Sequence, residues 1–208
     1  MEKAEILKRL ESCIDIENGV VSDGFKFIQL KNELLEDVKK DACRKAGTKT
    51  SKLNAIKRVL KVQEDLRPLL TKYIVEDGKM VFTDSYQAFM IDDLENNPFP
   101  KVGENDGVYP NVKNCFPEFD DSFVDITLDE ATIRAMKKTT KNTRTDRGKN
   151  TYKLENVDTK ITFDTYLLVN MLDIMPKDTK YYFAKGTMIY GISESTGDKC
   201  ITLGIRNY

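Results

Sequence analysis

The sequence predicts an α+β protein in which helices pack on antiparallel sheets, and three observations carry that expectation. Helical periodicity recurs in segments whose apolar residues fall on one side, as at Leu53, Ile56, Val59 and Leu60. Two dipeptides, Asp77-Gly78 and Lys185-Gly186, each separate two strand-like runs, and Asp-Gly suits the tight turn whose central residues need positive φ. The order helix, strand, tight turn, strand occurs over 51–83 and again over 164–192, alike in pattern rather than in residues. Units of this kind bury one helix face against an antiparallel sheet.

Residues 2–13 predict a helix with Ala4, Ile6, Leu7 and Leu10 on one side. Asn18-Gly19 marks a turn, and Val20-Val21 and Phe25-Lys26-Phe27-Ile28 are expected as short strands. Residues 30–46 predict a second helix, with Leu34, Leu35, Val38 and Ala42 at helical spacing and Gly47 as its stop. A third helix covers 51–63, where Lys52, Lys57, Arg58 and Lys61 lie off the apolar stripe. Strands follow at 69–75 and 79–83, and 88–91 continues in extended form.

Residues 94–110 hold Asn96, Asn97, Pro98, Pro100, Gly103, Asn105, Gly107 and Pro110, the composition of a linker. A strand at 123–126 leads into Thr127 and Glu130, whose spacing is that of a capping box opening a helix that ends at Lys138. Leu128, Ala131, Ile133, Ala135 and Met136 make its less polar side. The basic stretch 139–151 reads as a loop. A strand at 161–163 meets Asp164, the expected cap of a helix through Met175 that Pro176 ends. A hairpin of 180–184 with 188–192 and a last strand at 201–206 complete the chain. The expected organisation is a mainly helical segment at 1–50 and two sheet-bearing parts at 51–107 and 108–208.

The chain has 208 residues, 40% of them apolar and 32% charged, the balance of a soluble globular protein. No apolar run approaches the ~20 residues of a membrane span, and the first residues lack the apolar core of a secretion signal. No membrane association and a cytoplasmic location are expected. Histidine, the commonest general base and metal ligand, does not occur. Cys13, Cys43, Cys115 and Cys200 form no CxxC pair, so no zinc site is expected, and they read as small buried residues rather than nucleophiles. No glycine-rich phosphate loop occurs. Asp92-Asp93 and Asp120-Asp121 are paired carboxylates of a kind that can hold a metal, but both pairs sit in or beside Pro- or Asn-rich segments where acids solvate loops. The expectation is a binding protein, not an enzyme, with neither cofactor nor metal.

Near-neutral charge, 33 basic against 34 acidic residues, conceals segregation. From Lys40 to Lys61 eight basic residues face Asp41 alone, and from Lys137 to Lys153 seven face Asp146 alone. Asp92 to Asp125 carries nine acids with only Lys101 and Lys113. One basic and one acidic face would give this pattern, the basic one suited to a phosphate backbone; solvated helix faces and loops would give it too.

Three segments resemble the bacterial β sliding clamp family, the processivity factor of the replicative DNA polymerase, over its second and third domains. Asp65-Leu66-Arg67-Pro68-Leu69-Leu70, followed by Val81-Phe82-Thr83-Asp84-Ser85-Tyr86, is similar to the family's Arg-Pro-x-Leu strand and Thr-Asp-Gly-His/Tyr-Arg segment. Val108-Tyr109-Pro110-Asn111-Val112, then Phe116-Pro117 and Val124-Asp125-Ile126, resembles its entry to the third domain. Ile161-Thr162-Phe163-Asp164-Thr165-Tyr166-Leu167-Leu168 and Leu203-Gly204-Ile205-Arg206 resemble the Phe-Asn-x-x-Tyr-Leu helix start and the terminal Met-Pro-Val-Arg. The chain departs from the family at Ser85 (Gly in the family), Gln87 (Arg) and Gly204 (Pro).

The resemblance implies a DNA-clamp-like fold, helices toward duplex phosphates and sheets at the rim, without sequence readout. It implies DNA contacts from Lys52, Lys57, Arg58, Lys61, Lys137, Lys138, Lys141 and Arg144. It implies a pocket for a partner peptide lined by Leu70, Thr83, Ser85, Tyr86, Gln87, Ala88, Pro110, Asn114, Cys115, Ile201, Leu203, Gly204, Ile205 and Arg206. The expected function is a non-catalytic processivity factor or DNA-tethering protein. Its expected partners are duplex DNA, DNA polymerase or repair proteins docking through a short peptide motif, and further copies of the chain in a homo-oligomer. Two alternatives stay open: a clamp-fold interaction or regulatory module that does not encircle DNA, and a small metal-dependent nuclease or hydrolase using the acids of 92–125.

Overall fold

A computed structural model describes residues 9–15, 20–21, 23–138, 150–155 and 157–206. The chain forms two compact units, Met1–Thr48 with Glu95–Pro98, and Lys49–Leu94 with Phe99–Tyr208. No helix among the described residues is long and apolar enough to cross a membrane.

In the first unit, β1 (Ile14–Asp15) pairs antiparallel with β2 (Val20–Val21), Ile14 opposite Val21. Residues 9–11 are helical; residues 2–8 of the expected first helix lie outside the described residues. Helix α1 (Gly24–Lys45) takes in Phe25–Ile28, which are expected from the sequence as a short strand. The Asp23 carboxylate explains the change: its Oδ1 accepts the Lys26 N–H at 2.9 Å and satisfies an amide of the first turn. Leu30 and Cys43 are the buried residues of α1, whereas Leu35 and Val38, expected on the buried stripe, are exposed. The Cys43 thiol points at the carbonyls of Glu95 and Asn96, 3.1 Å from each, and burial raises its pKa.

The second unit is built on a seven-stranded antiparallel sheet of order β3-β4-β5-β11-β10-β9-β6. Its strands are β3 (Ile74–Glu76), β4 (Lys79–Thr83), β5 (Gln87–Asp92), β6 (Val124–Ile126), β9 (Thr179–Ala184), β10 (Met188–Ser193) and β11 (Lys199–Leu203). A three-stranded sheet of order β12-β8-β7 comprises β7 (Thr151–Lys153), β8 (Ile161–Asp164) and β12 (Ile205–Arg206). Among its described residues the α-helices are α2 (Thr50–Lys61), α3 (Glu130–Lys138) and α4 (Thr165–Ile174).

The repeated pattern read from the sequence has a structural counterpart. Helix α2 precedes β3, β4 and β5, and α4 precedes β9, β10 and β11. The two strand triplets join edge to edge where β5 pairs antiparallel with β11, Ala88 opposite Ile201, so the order reads the same outward from that pair in both directions. Helix α4 packs against both α2 and α3, and it also touches β8 and β11. Buried among these neighbours, α4 is apolar nearly all round, with Leu167, Leu168, Val169, Met171 and Ile174 inaccessible.

Strand alternation divides the sheet residues between two faces. One carries Met80, Phe82, Phe89 and Ile91, all fully buried, with Phe82 stacked on Phe89 at 5.1 Å. The other carries Val81, Ala88, Ala184, Tyr190 and Ile201, onto which Val112 packs. Both predicted tight turns form, with φ of 51° and 75° at Asp77-Gly78 and 52° and 66° at Lys185-Gly186.

Three local expectations change. The start of the strand expected at 69–75 is a 3-10 helix, Pro68–Thr71, because Pro68 supplies the φ of a first helical position and has no N–H to leave unpaired. Helix α3 is capped by Asp129 rather than Thr127: Asp129 Oδ1 accepts the Thr132 N–H at 3.0 Å, and Glu130 pairs instead with Arg134. The single strand expected at 201–206 divides at Gly204, whose N–H donates to the Thr187 carbonyl at 2.9 Å, and whose place leaves no room for a Cβ against Ile161 Cγ2. The chain thereby passes from β11 in the large sheet to β12 in the small one. Of the loop expected at 139–151, residues 139–149 lie outside the described residues, and Thr151 already belongs to β7.

Candidate functional site

The helical layer gathers the charge that the sequence disperses. The period of α2 buries Leu53, Ala55, Ile56, Val59 and Leu60 and leaves Lys57, Arg58 and Lys61 on its outer flanks. In α3, Ile133 is buried while Arg134 and Lys137 are half-exposed. Between these helices, α4 supplies one carboxylate, Asp173. Its Oδ2 accepts Arg58 Nη2 at 3.0 Å and its Oδ1 accepts Arg134 Nη1 at 2.9 Å. Arg58 Nε donates to Asn170 Oδ1 at 2.8 Å, and Arg134 Nε donates to Glu130 at 2.7 Å. The Lys137 ammonium lies 5.5 Å from the centre of the Tyr166 ring, a cation–π geometry. Burial lowers the Lys137 pKa, and repulsion from Arg58 and Arg134 adds to it while Asp173 opposes it.

The residues expected at DNA thus divide. Arg58 and Lys137 converge with Arg134 around Asp173, and Lys61 is exposed. Lys57 is half-buried on the same helix. Lys52 belongs to another neighbourhood: burial lowers its pKa, while attraction from Asp198 and Asp92 at the end of the sheet raises it. There Lys79 Nζ sits 2.5 Å from Asp92, 2.9 Å from Asp198 and 2.7 Å from the Thr196 carbonyl. Lys138 closes α3, and Lys141 and Arg144 lie outside the described residues. Arg134 and Asp173 escaped the sequence reading. Arg134 stands one turn before Lys137 and Lys138, and Asp173 is the one acid of an apolar helix; either feature could have drawn attention to them.

The residues expected to line a peptide pocket also divide. Thr83 pairs with Ala88 and Ala88 with Ile201, so these three occupy neighbouring strands. The turn between β4 and β5 is held by Asp84, whose Oδ1 accepts the N–H groups of Tyr86 at 2.9 Å and Gln87 at 2.7 Å. It sets Ser85 at a φ of 75° and leaves Tyr86 47% exposed. The Tyr86 carbonyl accepts the Leu203 N–H at 2.9 Å, and Leu203 is 37% exposed. Pro110, Asn114 and Cys115 are exposed in the segment whose Val112 packs on Ala88 and Ile201.

Gln87 is buried on the other sheet face, where Nε2 donates to the Leu167 carbonyl at 2.7 Å and to Thr202 Oγ1 at 2.9 Å. Leu70 is buried in the 3-10 turn; Gly204 and Ile205 are half-buried at the crossing to the small sheet, where Arg206 pairs with Ile161 in the ladder.

The paired acids have local uses. Asp120 pairs with Lys185 and accepts from the N–H and hydroxyl of Ser122, which holds its pKa down at about 2. Among the described residues no group of three or more His, Cys, Asp or Glu side chains is arranged to hold a metal. Cys13, Cys43 and Cys200 are buried, and Cys115 is exposed.

No protein-family model matches the chain, and no curated protein matches it. Among solved structures, the fold is similar to that of a beta sliding clamp from C. crescentus crystallised with polyethylene glycol. The TM-score is 0.48, the identity is 12%, and the match covers 75% of this chain and 63% of that one.

Proposed function

We propose that the chain is a non-catalytic, clamp-like protein that tethers a partner to duplex DNA through its helical layer. The observation that carries this reading is the excess of positive charge on the helices. Leaving aside Lys52, which lies towards Asp92 and Asp198, helices α2, α3 and α4 carry Lys57, Arg58, Lys61, Arg134, Lys137 and Lys138 against only Glu130 and Asp173, in a chain of net charge −1. Cations on a helical surface attract phosphates of any sequence and release counterions on binding, which suits a protein that holds DNA without reading it. The order of the three clamp-like motifs supports the same reading. The parts 51–107 and 108–208 would then correspond to clamp-like halves, with several copies needed to surround a duplex.

The partner surface in this proposal is the corner where Tyr86 and Leu203 are exposed beside each other's strand. A short peptide would bury one or two apolar side chains there, with Pro110, Asn114 and Cys115 at its margin. A second reading, an interaction module that does not surround DNA, is favoured by one feature: Asp173 already pairs with Arg58 and Arg134.

Fluorescence anisotropy with two unrelated duplexes separates the readings. Tethering predicts equal affinity for both, a steep fall as salt is raised, and at least about tenfold weaker binding when Lys57, Lys61 and Lys137 are all changed to Glu. No binding at low salt, or binding that the triple variant leaves intact, favours the module instead.

A further inference from the structure

Helix α1 exposes an apolar stripe that its own unit does not use. Phe25 is 83% exposed, Ile28 58%, Leu35 49% and Val38 58%, whereas Leu30 on the other side and Cys43 on the flank beside Glu95 and Asn96 are buried. A single exposed apolar residue is ordinary, but four on one side of a helix mark an interaction surface. Phe25, Ile28 and Leu35 have the spacing of a heptad seam, and Val38 flanks it. Phe25, Asn32 and Lys39 recur every seven residues, as do Ile28, Leu35 and Ala42 three residues later. These are the two seam positions of a coiled coil.

We infer that α1 is a self-association surface, through which two copies of this chain pair as a parallel two-stranded coiled coil. Asn32, exposed in the middle of the stripe, occupies the seam position where a polar residue selects two strands in register at some expense of stability. The flanking charges select the direction. Lys31 and Glu36 are five residues apart on the two sides of the seam, so a parallel partner sets each Lys31 beside the other chain's Glu36, where it shares that carboxylate with Lys40 of the same helix. An antiparallel partner would set Lys31 against Val38 or Lys45 instead. The helix has 22 residues, a length of about 33 Å or three heptads, and the exposed Lys39 in the third keeps the pairing modest. This inference does not rest on DNA binding.

Sedimentation equilibrium of the full chain tests it. The expected result is a reversible dimer whose dissociation constant rises at least about 100-fold in Leu35→Glu, because the change enters a symmetric interface twice. Leu35 is exposed, so the far-ultraviolet circular dichroism of that variant should match the parent. In a Cys115→Ser background, which removes the exposed thiol, Ile28→Cys should form a disulfide-linked dimer under mild oxidation. Parallel in-register pairing brings Ile28 against its own copy, and antiparallel pairing sends it to the far end. A chain monomeric at every concentration overturns the inference, as does a dimer indifferent to Leu35→Glu. A dimer that responds to Leu35→Glu but fails to cross-link at position 28 overturns the parallel arrangement.

Discussion

Arg58 of α2 and Asp173 of α4 meet with Nη2 3.0 Å from Oδ2, and the second carboxylate oxygen is taken by Arg134 of α3. One acid therefore bridges three helices. The Asp173 side chain is 11% exposed, so the pair is shielded better than a surface ion pair. Removing its charge leaves the Arg58 guanidinium without a carboxylate partner and Arg134 with Glu130 alone.

Asp173→Asn should lower stability by about 2 kcal/mol, the scale of a charged hydrogen bond lost at a partly buried site. Chemical denaturation measures this directly. If the helical layer holds DNA, the same variant should bind duplex more tightly than the parent, because it releases positive charge.

Gln87 offers a test of the sheet-to-helix joint. Its amide ties β5 to the Leu167 carbonyl of α4 and to Thr202 of β11. Gln87→Leu has similar volume and no polar atoms, so it leaves those acceptors buried with one partner fewer. A loss of about 2–3 kcal/mol in urea unfolding is expected.

Ser85 holds a φ of 75°, a conformation in which a Cβ is strained. Ser85→Gly should relieve that strain. It also removes an exposed contact from Arg67 to the Ser85 hydroxyl, which is worth little in solvent. A gain of about 0.5–1 kcal/mol is expected, and an unchanged or lower melting temperature would show that the turn is not strained.

Asp120 links stability to acid. Its folded pKa of about 2 lies below the ordinary 3.8, because Lys185 and Ser122 favour the carboxylate. A depressed folded pKa stabilises the protein above the unfolded value, and that contribution is lost as pH falls from about 4 towards 2. In Asp120→Asn the unfolding midpoint should vary less over this window than in the parent, while the two should show equal slopes near pH 7.

Much of the second unit was legible because its signals are local. Asp77-Gly78 forces a hairpin through backbone sterics alone. Asp164 caps α4 as expected, its Oδ1 accepting the Tyr166 N–H at 2.8 Å. The stripe Leu53, Ile56, Val59 and Leu60 is the buried face of α2. The repeat of helix and hairpin was legible for the same reason.

Two local readings failed where several short-range preferences competed. The Asp23 cap took Phe25–Ile28 into α1 although their residue types suit a strand, and Asp129 displaced Thr127 as the cap of α3. Neither strand-like residue types nor a capping-box spacing determines which of two nearby side chains reaches the amide first.

What the sequence by itself determined is the set of hairpins, helices and charge blocks, each specified by neighbours within a turn or two of the chain. Tertiary structure alone decided the joining of β5 to β11, the turn of Gln87 towards α4, the gathering of Arg58, Arg134 and Lys137 about Asp173, and the exposure of Leu35 and Val38. Each depends on residues tens of positions apart, and a helical period says which residues share a side but not what that side meets.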